Sequence, residues 1–172
     1  MMNTVQGVAD RVAAQVNVVV DRVNALPQAG LNRFIGAAVG IPTSVVLGIA
    51  AWLTPSPAGH GTHTQLGLGT CTLLTITGWP CPMCGMTTTF SLLAHGRLVD
   101  AFFNQPFGLV LFSITVLGAS IGLSDLLTGR GLWRVALRKI QRHEQIFAIV
   151  LLVGMIVGWL YKCVIMHPEV IS

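Results

Sequence analysis

The sequence predicts an all-α integral membrane protein, and three observations carry that expectation. Hydrophobic residues make up 53% of the 172 positions and charged residues only 9%, against roughly 25% charged in soluble domains. No Lys, Arg, Asp or Glu occurs between Arg33 and Arg97. Three stretches, Phe34 to Leu53, Pro106 to Ser124 and Ile146 to Met166, each supply about the 20 apolar residues needed to cross a hydrocarbon core about 30 Å thick. Lys162 falls inside the third, where a long stem is expected to carry the ammonium out to the interface.

Residues 1–30 precede the spans. Val5, Val8, Val12, Val16, Val19, Val23 and Leu26 recur at intervals of three and four, one stripe along an amphipathic helix. Asp10-Arg11 and Asp21-Arg22 balance its charge, which suits packing on a partner helix better than attraction to a lipid surface. Pro27 and Gly30 are expected to end it. No basic start, apolar core and small-residue cleavage site appear in sequence, so the first span is expected to direct insertion.

Residues 31–172 then form a three-span domain with a cysteine-containing loop, 54–105. Each span carries glycines four residues apart: Gly36 and Gly40, Gly118 and Gly122, Gly154 and Gly158. Small residues allow close backbone approach where lipid supplies little hydrophobic drive. The first row continues through Ser44 and Gly48, and Pro42 is expected to kink that span beside the hydroxyls of Thr43 and Ser44.

In loop 54–105, a short helix is expected after a threonine cap in Thr87-Thr88-Thr89, with His95 at its end and Gly96 as its stop. A second runs from Leu98 to Asn104 before Pro106 opens span two. The loop reads as a cap of interfacial helices, with Trp52, Trp79, Trp159 and Tyr161 marking a headgroup belt. Arg130, Arg134, Arg138, Lys139 and Arg142 all lie between spans two and three, whereas loop 54–105 has only Arg97. Cation-rich short loops stay cytoplasmic. The expectation is therefore an inner-membrane protein with its amino terminus inside and the cysteine loop and carboxyl terminus outside. The basic balance serves orientation and contact with membrane lipids, not nucleic acid.

Cys81 to Met86, read Cys-Pro-Met-Cys-Gly-Met, gathers two thiols and two thioethers. Two intervening residues let both sulfurs converge on one metal or on each other. Cys71, His63 and His60 lie upstream in the same loop, and the topology brings Cys163 to the same face, so all four cysteines are expected to meet there. Four readings remain open: disulfides in an oxidising compartment; zinc on Cys71, Cys81, Cys84 and His63, or copper(I) with Met83 and Met86 added; a redox dithiol in which a helix following Cys81 stabilises its thiolate; or inert buried thiols. His143 and His167 read as solvated.

The stretch His63 to Leu68, Cys71, and Gly78-Trp79-Pro80-Cys81-Pro82-Met83-Cys84-Gly85-Met86-Thr87-Thr88 resembles a family of small bacterial inner-membrane proteins of unknown function with a Cys-Pro-x-Cys-Gly-x-Thr signature. His95-Gly96-Arg97 and Gln105-Pro106 continue the likeness, which covers about residues 60 to 125. The resemblance implies positions of interest and no mechanism. Between Asp21 and Glu144 only Asp100 and Asp125 are acidic, with no paired carboxylate for acid–base work and no phosphate loop. The first functional expectation is thus a non-catalytic subunit packing against a larger membrane complex, its cap held by disulfides or metal. The second is a copper-, zinc- or thiol-handling protein.

Overall fold

The computed structural model describes residues 14–16 and 28–167; the amphipathic stretch Val5 to Leu26 lies outside them apart from 14–16. Among the described residues the chain is helices and loops with no strand. The order is α1 (Gln28–Trp52), a 3-10 turn (Thr62–Leu66), α2 (Thr72–Thr77), α3 (Met86–Ala94), α4 (Leu98–Asn104), α5 (Pro106–Thr128), α6 (Leu132–Gln141) and α7 (Glu144–Met166). Helices α1, α5 and α7 are long and apolar enough to cross a membrane. The protein is an integral membrane protein with three spans.

Polar residues extend the spans beyond their apolar stretches. Helix α1 begins at Gln28 and carries Gly30 within it, and it runs through Pro42 without interruption. There the Thr43 hydroxyl donates to the carbonyls of Val39 and Gly40, at 2.7 and 3.1 Å.

Helices α1 and α5 run antiparallel in backbone contact. A Cβ added to Gly122 would lie 2.4 Å from the Gly40 nitrogen, and one on Gly36 would lie 2.6 Å from the Leu126 nitrogen. No side chain fits between them. Gly118 sits more loosely against Thr43, and Gly48 faces open space, so the expected row does not extend that far. The pair on α7 serves differently. Gly154 and Gly158 receive the side chain of Phe107, whose atoms would stand 3.0 and 2.9 Å from their added Cβ atoms.

The five-cation segment between the second and third spans, which the sequence reading treated as a loop, contains helix α6. Both oxygens of buried Asp125 accept from its first amides, Leu132 and Trp133, each at 2.8 Å, which satisfies donors that a helix start leaves open. Asn32 ties the end of α5 to α1 by donating to the Gly129 carbonyl at 2.8 Å.

At the opposite end, loop 54–105 folds into a cap. Helix α3 starts at Met86 after Gly85, which sits at φ +85°. No threonine caps it; Thr88 and Thr89 are buried inside it. Thr62 and Thr88 share a hydroxyl hydrogen bond of 2.8 Å, and the Ser91 hydroxyl donates to the Leu53 carbonyl at the end of span one. His95 closes α3 by donating Nδ1–H to the Ser91 carbonyl at 2.8 Å, and Gly96 then turns the chain at φ +74°. Leu92, Leu93 and Ala101 form the core shared by α3 and α4.

Candidate functional site

Helix α7 holds the cap at two points one helical turn apart. The Trp159 indole donates to the Pro80 carbonyl at 2.8 Å, just before Cys81. Lys162 is 3% exposed, and its ammonium donates to the Gly59 carbonyl at 3.1 Å, the Asn104 carbonyl at 3.3 Å and Asn104 Oδ1 at 2.7 Å. The long stem expected to carry the ammonium to the interface turns it into the cap, where it is buried. A lysine so near the end of α7 reaches polar groups sooner by turning into the cap than by turning outward, because three oxygens wait there. Asn104 completes the node by donating to the Gly85 carbonyl at 3.1 Å and to Thr89 Oγ1 at 2.9 Å.

Gly85 has two reasons to be glycine. Its φ of +85° is the left-handed region, and an added Cβ would stand 2.8 Å from the Gly59 carbonyl and 3.1 Å from Lys162 Nζ. The Cys84-Gly85 step thus lets the turn lie directly on the lysine node.

The turn itself is closed by the Cys84 amide donating to the Cys81 carbonyl at 2.9 Å and the Met86 amide to Met83 at 3.1 Å. It forms one wall of a cleft of about 780 Å³ lined by Cys71, Cys81, Cys84, Met83, His60 and His63. Each histidine already donates one ring N–H, His60 Nδ1 to Ala58 at 2.8 Å and His63 Nε2 to Gly69 at 3.1 Å. That fixes the tautomers and leaves one nitrogen on each ring as an acceptor.

Three of the four cysteines meet here, and Cys163 does not line the cleft. Only one thioether of the motif faces it: Met83 is exposed, whereas Met86 is buried, its sulfur close to Gly108 of α5. All four thiols are free, and no group of three His, Cys, Asp or Glu among the described residues is arranged to hold a metal ion.

Cys71 and Cys81 line the same cleft and influence each other's acidity. The Leu74 amide, in the first turn of α2, holds the Cys71 thiol below its ordinary value, helped by the neighbouring Cys81 thiol. Burial pushes Cys81 up, and the neighbouring Cys71 thiol adds to this. Burial drives Cys84 up to about 11, with the neighbouring thiols adding and the Lys162 charge opposing. Where the redox-dithiol reading set the thiolate at Cys81, the surroundings favour it at Cys71, which is partly exposed and contacted by a backbone amide.

Three aromatic side chains make further contacts at this face. His167 is not simply solvated; its Nε2 pairs with the Gly78 carbonyl at 3.0 Å and its ring lies 4.6 Å from that of Trp79. Trp159 and Tyr161 tie α7 to the cap, Tyr161 by donating to the Phe103 carbonyl at 2.8 Å. Sequence reading missed Lys162 and Asn104 as site residues. The signal present was a lone cation inside an apolar span, which requires a partner.

Residues 71–119 match the family model "Protein of unknown function (DUF2752)". The expected likeness to a family without an assigned activity holds for this stretch. It contains the three clustered cysteines and Asn104, while Gly59, His63 and Lys162 lie outside it. No curated protein and no solved structure matches the chain.

Proposed function

We propose that this membrane protein carries a reversible dithiol, Cys71 and Cys81, that exchanges electrons with disulfides entering the cleft. The observation behind the reading is that two free thiols, Cys71 and Cys81, line one cleft, in a cap already held by the Lys162 node and the Trp159 bond. A cap so braced does not need a cross-link, which leaves these sulfurs available for chemistry.

In the exchange, Cys71 as thiolate attacks one sulfur of a disulfide. A Cys71–substrate disulfide forms and the other substrate sulfur departs as a thiolate, taking the proton that Cys81 releases. The Cys81 thiolate then attacks Cys71 Sγ, forming the Cys71–Cys81 bond and freeing the second substrate thiolate. The substrate disulfide is reduced and the two cysteines are oxidised; the reverse sequence delivers a disulfide. Cation placement supports a cap on the exoplasmic side, where disulfides persist.

The test equilibrates the detergent-purified protein in graded mixtures of a dithiol and its disulfide, traps free thiols by alkylation and maps the peptides. A two-electron oxidation joining Cys71 to Cys81, with Cys84 still reduced, is expected. A Cys81–Cys84 bridge, or no oxidation across the range, overturns the reading.

A second reading uses the same sulfurs to hold copper(I), favoured by Met83, whose exposed thioether lines the cleft as a soft ligand. Stoichiometric copper that is lost in both Cys71→Ser and Met83→Leu supports it over the first. Packing on other membrane subunits is a separate proposal, supported by α7, whose Ile149, Val150, Val153 and Val157 are more than half exposed. Native purification with identification of co-migrating chains tests that association.

A further inference from the structure

We propose that the end of the bundle opposite the cap binds one anionic phospholipid, an acyl chain lying among α1, α5 and α6 and the phosphate resting on Arg134 and Arg138. An apolar groove of about 410 Å³ runs there, walled by Val39, Leu117, Ile121, Leu137, Ile140 and Phe147. It adjoins a second depression of about 370 Å³ lined by Trp133, Arg134, Leu137 and Arg138, and Trp133 and Leu137 belong to both. An apolar slot and a cationic mouth thus lie side by side, with Trp133 and Leu137 between them.

Among the side chains lining the mouth, Gln141 alone has an acceptor oxygen, against two guanidinium groups and an indole N–H. Trp133 Nε1 and Arg134 Nε are buried without a hydrogen-bond partner, and unpaired buried donors are uncommon and costly. Arg134 gives one guanidinium nitrogen to Gln28 and stacks 5.4 Å over Trp133. Among the described residues, Arg130, Arg138, Lys139 and Arg142 have no ion pair; the pair found there, Arg97 with Asp100, is at the cap end. Of the carboxylates at this end, Asp125 is taken by the amides of Leu132 and Trp133, and Glu144 lies beside Arg142 outside the mouth.

Charge complementarity selects the occupant. A phosphodiester headgroup brings acceptor oxygens and one negative charge, and its acyl chain supplies the apolar body that fits the groove. Free phosphate has no such body, and a zwitterionic headgroup sets its own cation against the arginines.

Native mass spectrometry of the full chain in detergent, titrated with phosphatidylglycerol or phosphatidylcholine, tests the proposal. One phosphatidylglycerol per chain is expected at concentrations where phosphatidylcholine gives none. Arg134→Gln with Arg138→Gln weakens it about 30-fold. Leu137→Trp, which fills the groove and keeps the cations, abolishes retention. Phosphatidylglycerol with a photoreactive acyl chain labels peptides of α5 and α6. Unchanged protection of Cys84 from alkylation certifies that each variant is folded. Equal binding of both lipids, retention in Leu137→Trp, or labelling confined to α7 overturns the proposal. So does cross-linking of a photoreactive group at position 140 to residues 1–27, which would make the chain itself the occupant.

Discussion

Lys162→Met removes the group on which the cap and the third span converge. Three oxygens, the Gly59 carbonyl and both oxygens of Asn104, lose a donor. Hydrogen bonds from a charged group contribute about 1.5–3 kcal/mol each, so about 4–9 kcal/mol is at stake. Several kcal/mol return because the ammonium no longer has to be buried. A net loss of about 2–4 kcal/mol in cap closure follows. The assay is the alkylation rate of Cys84, which is 6% exposed and reacts when the cap opens. At about 1.4 kcal/mol per decade, the variant labels Cys84 about 30- to 700-fold faster. The sign is diagnostic. The Lys162 charge holds the Cys84 thiol down, so its removal makes the thiol less acidic and intrinsically slower, and acceleration reports opening alone. A variant with wild-type labelling and an unchanged thermal transition in detergent refutes the argument.

Other perturbations test other contacts. Gly122→Ala places a methyl 2.4 Å from the Gly40 nitrogen and lowers stability in a denaturant titration by about 1–3 kcal/mol or more, whereas Gly48→Ala, in open space on the same span, raises it by about 0.5–1 kcal/mol. Asp125→Asn retains one acceptor oxygen for two amides and lowers the melting transition by an amount corresponding to about 1–3 kcal/mol. Alkylation between pH 7 and 9 labels Cys71 first, then Cys81, and Cys84 last, because the Leu74 amide favours the Cys71 thiolate and burial opposes the other two. Cys71→Ser moves the Cys81 labelling profile to lower pH, since a charged neighbour that raises Cys81 is gone; a profile that stays fixed contradicts the thiol–thiol contact.

The spans, the short helix Leu98 to Asn104, the His95-Gly96 stop and the use of Gly36 and Gly40 as a close-packing face were legible in the sequence. Each depends on near neighbours along the chain or on the small size of one residue. The cysteine site was legible only as a collection of ligand types. That Cys71, Cys81 and Cys84 share one cleft, that Cys163 stays apart and that Met86 turns into the core are decided by how the segments seat against one another. That seating rests on Phe107 lying over Gly154 and Gly158 and on the bonds of Trp159, Tyr161 and Lys162. None of these contacts leaves a periodic trace.

Hydropathy is a sum over consecutive residues, so composition and order along the chain were sufficient to make this a three-helix membrane protein with a cysteine-bearing cap. Which sulfurs share a cleft, and where a lone lysine finds its oxygens, are matters of register between segments as much as 103 residues apart. Register is set by packing and hydrogen-bond satisfaction acting together, and only the folded molecule decides it.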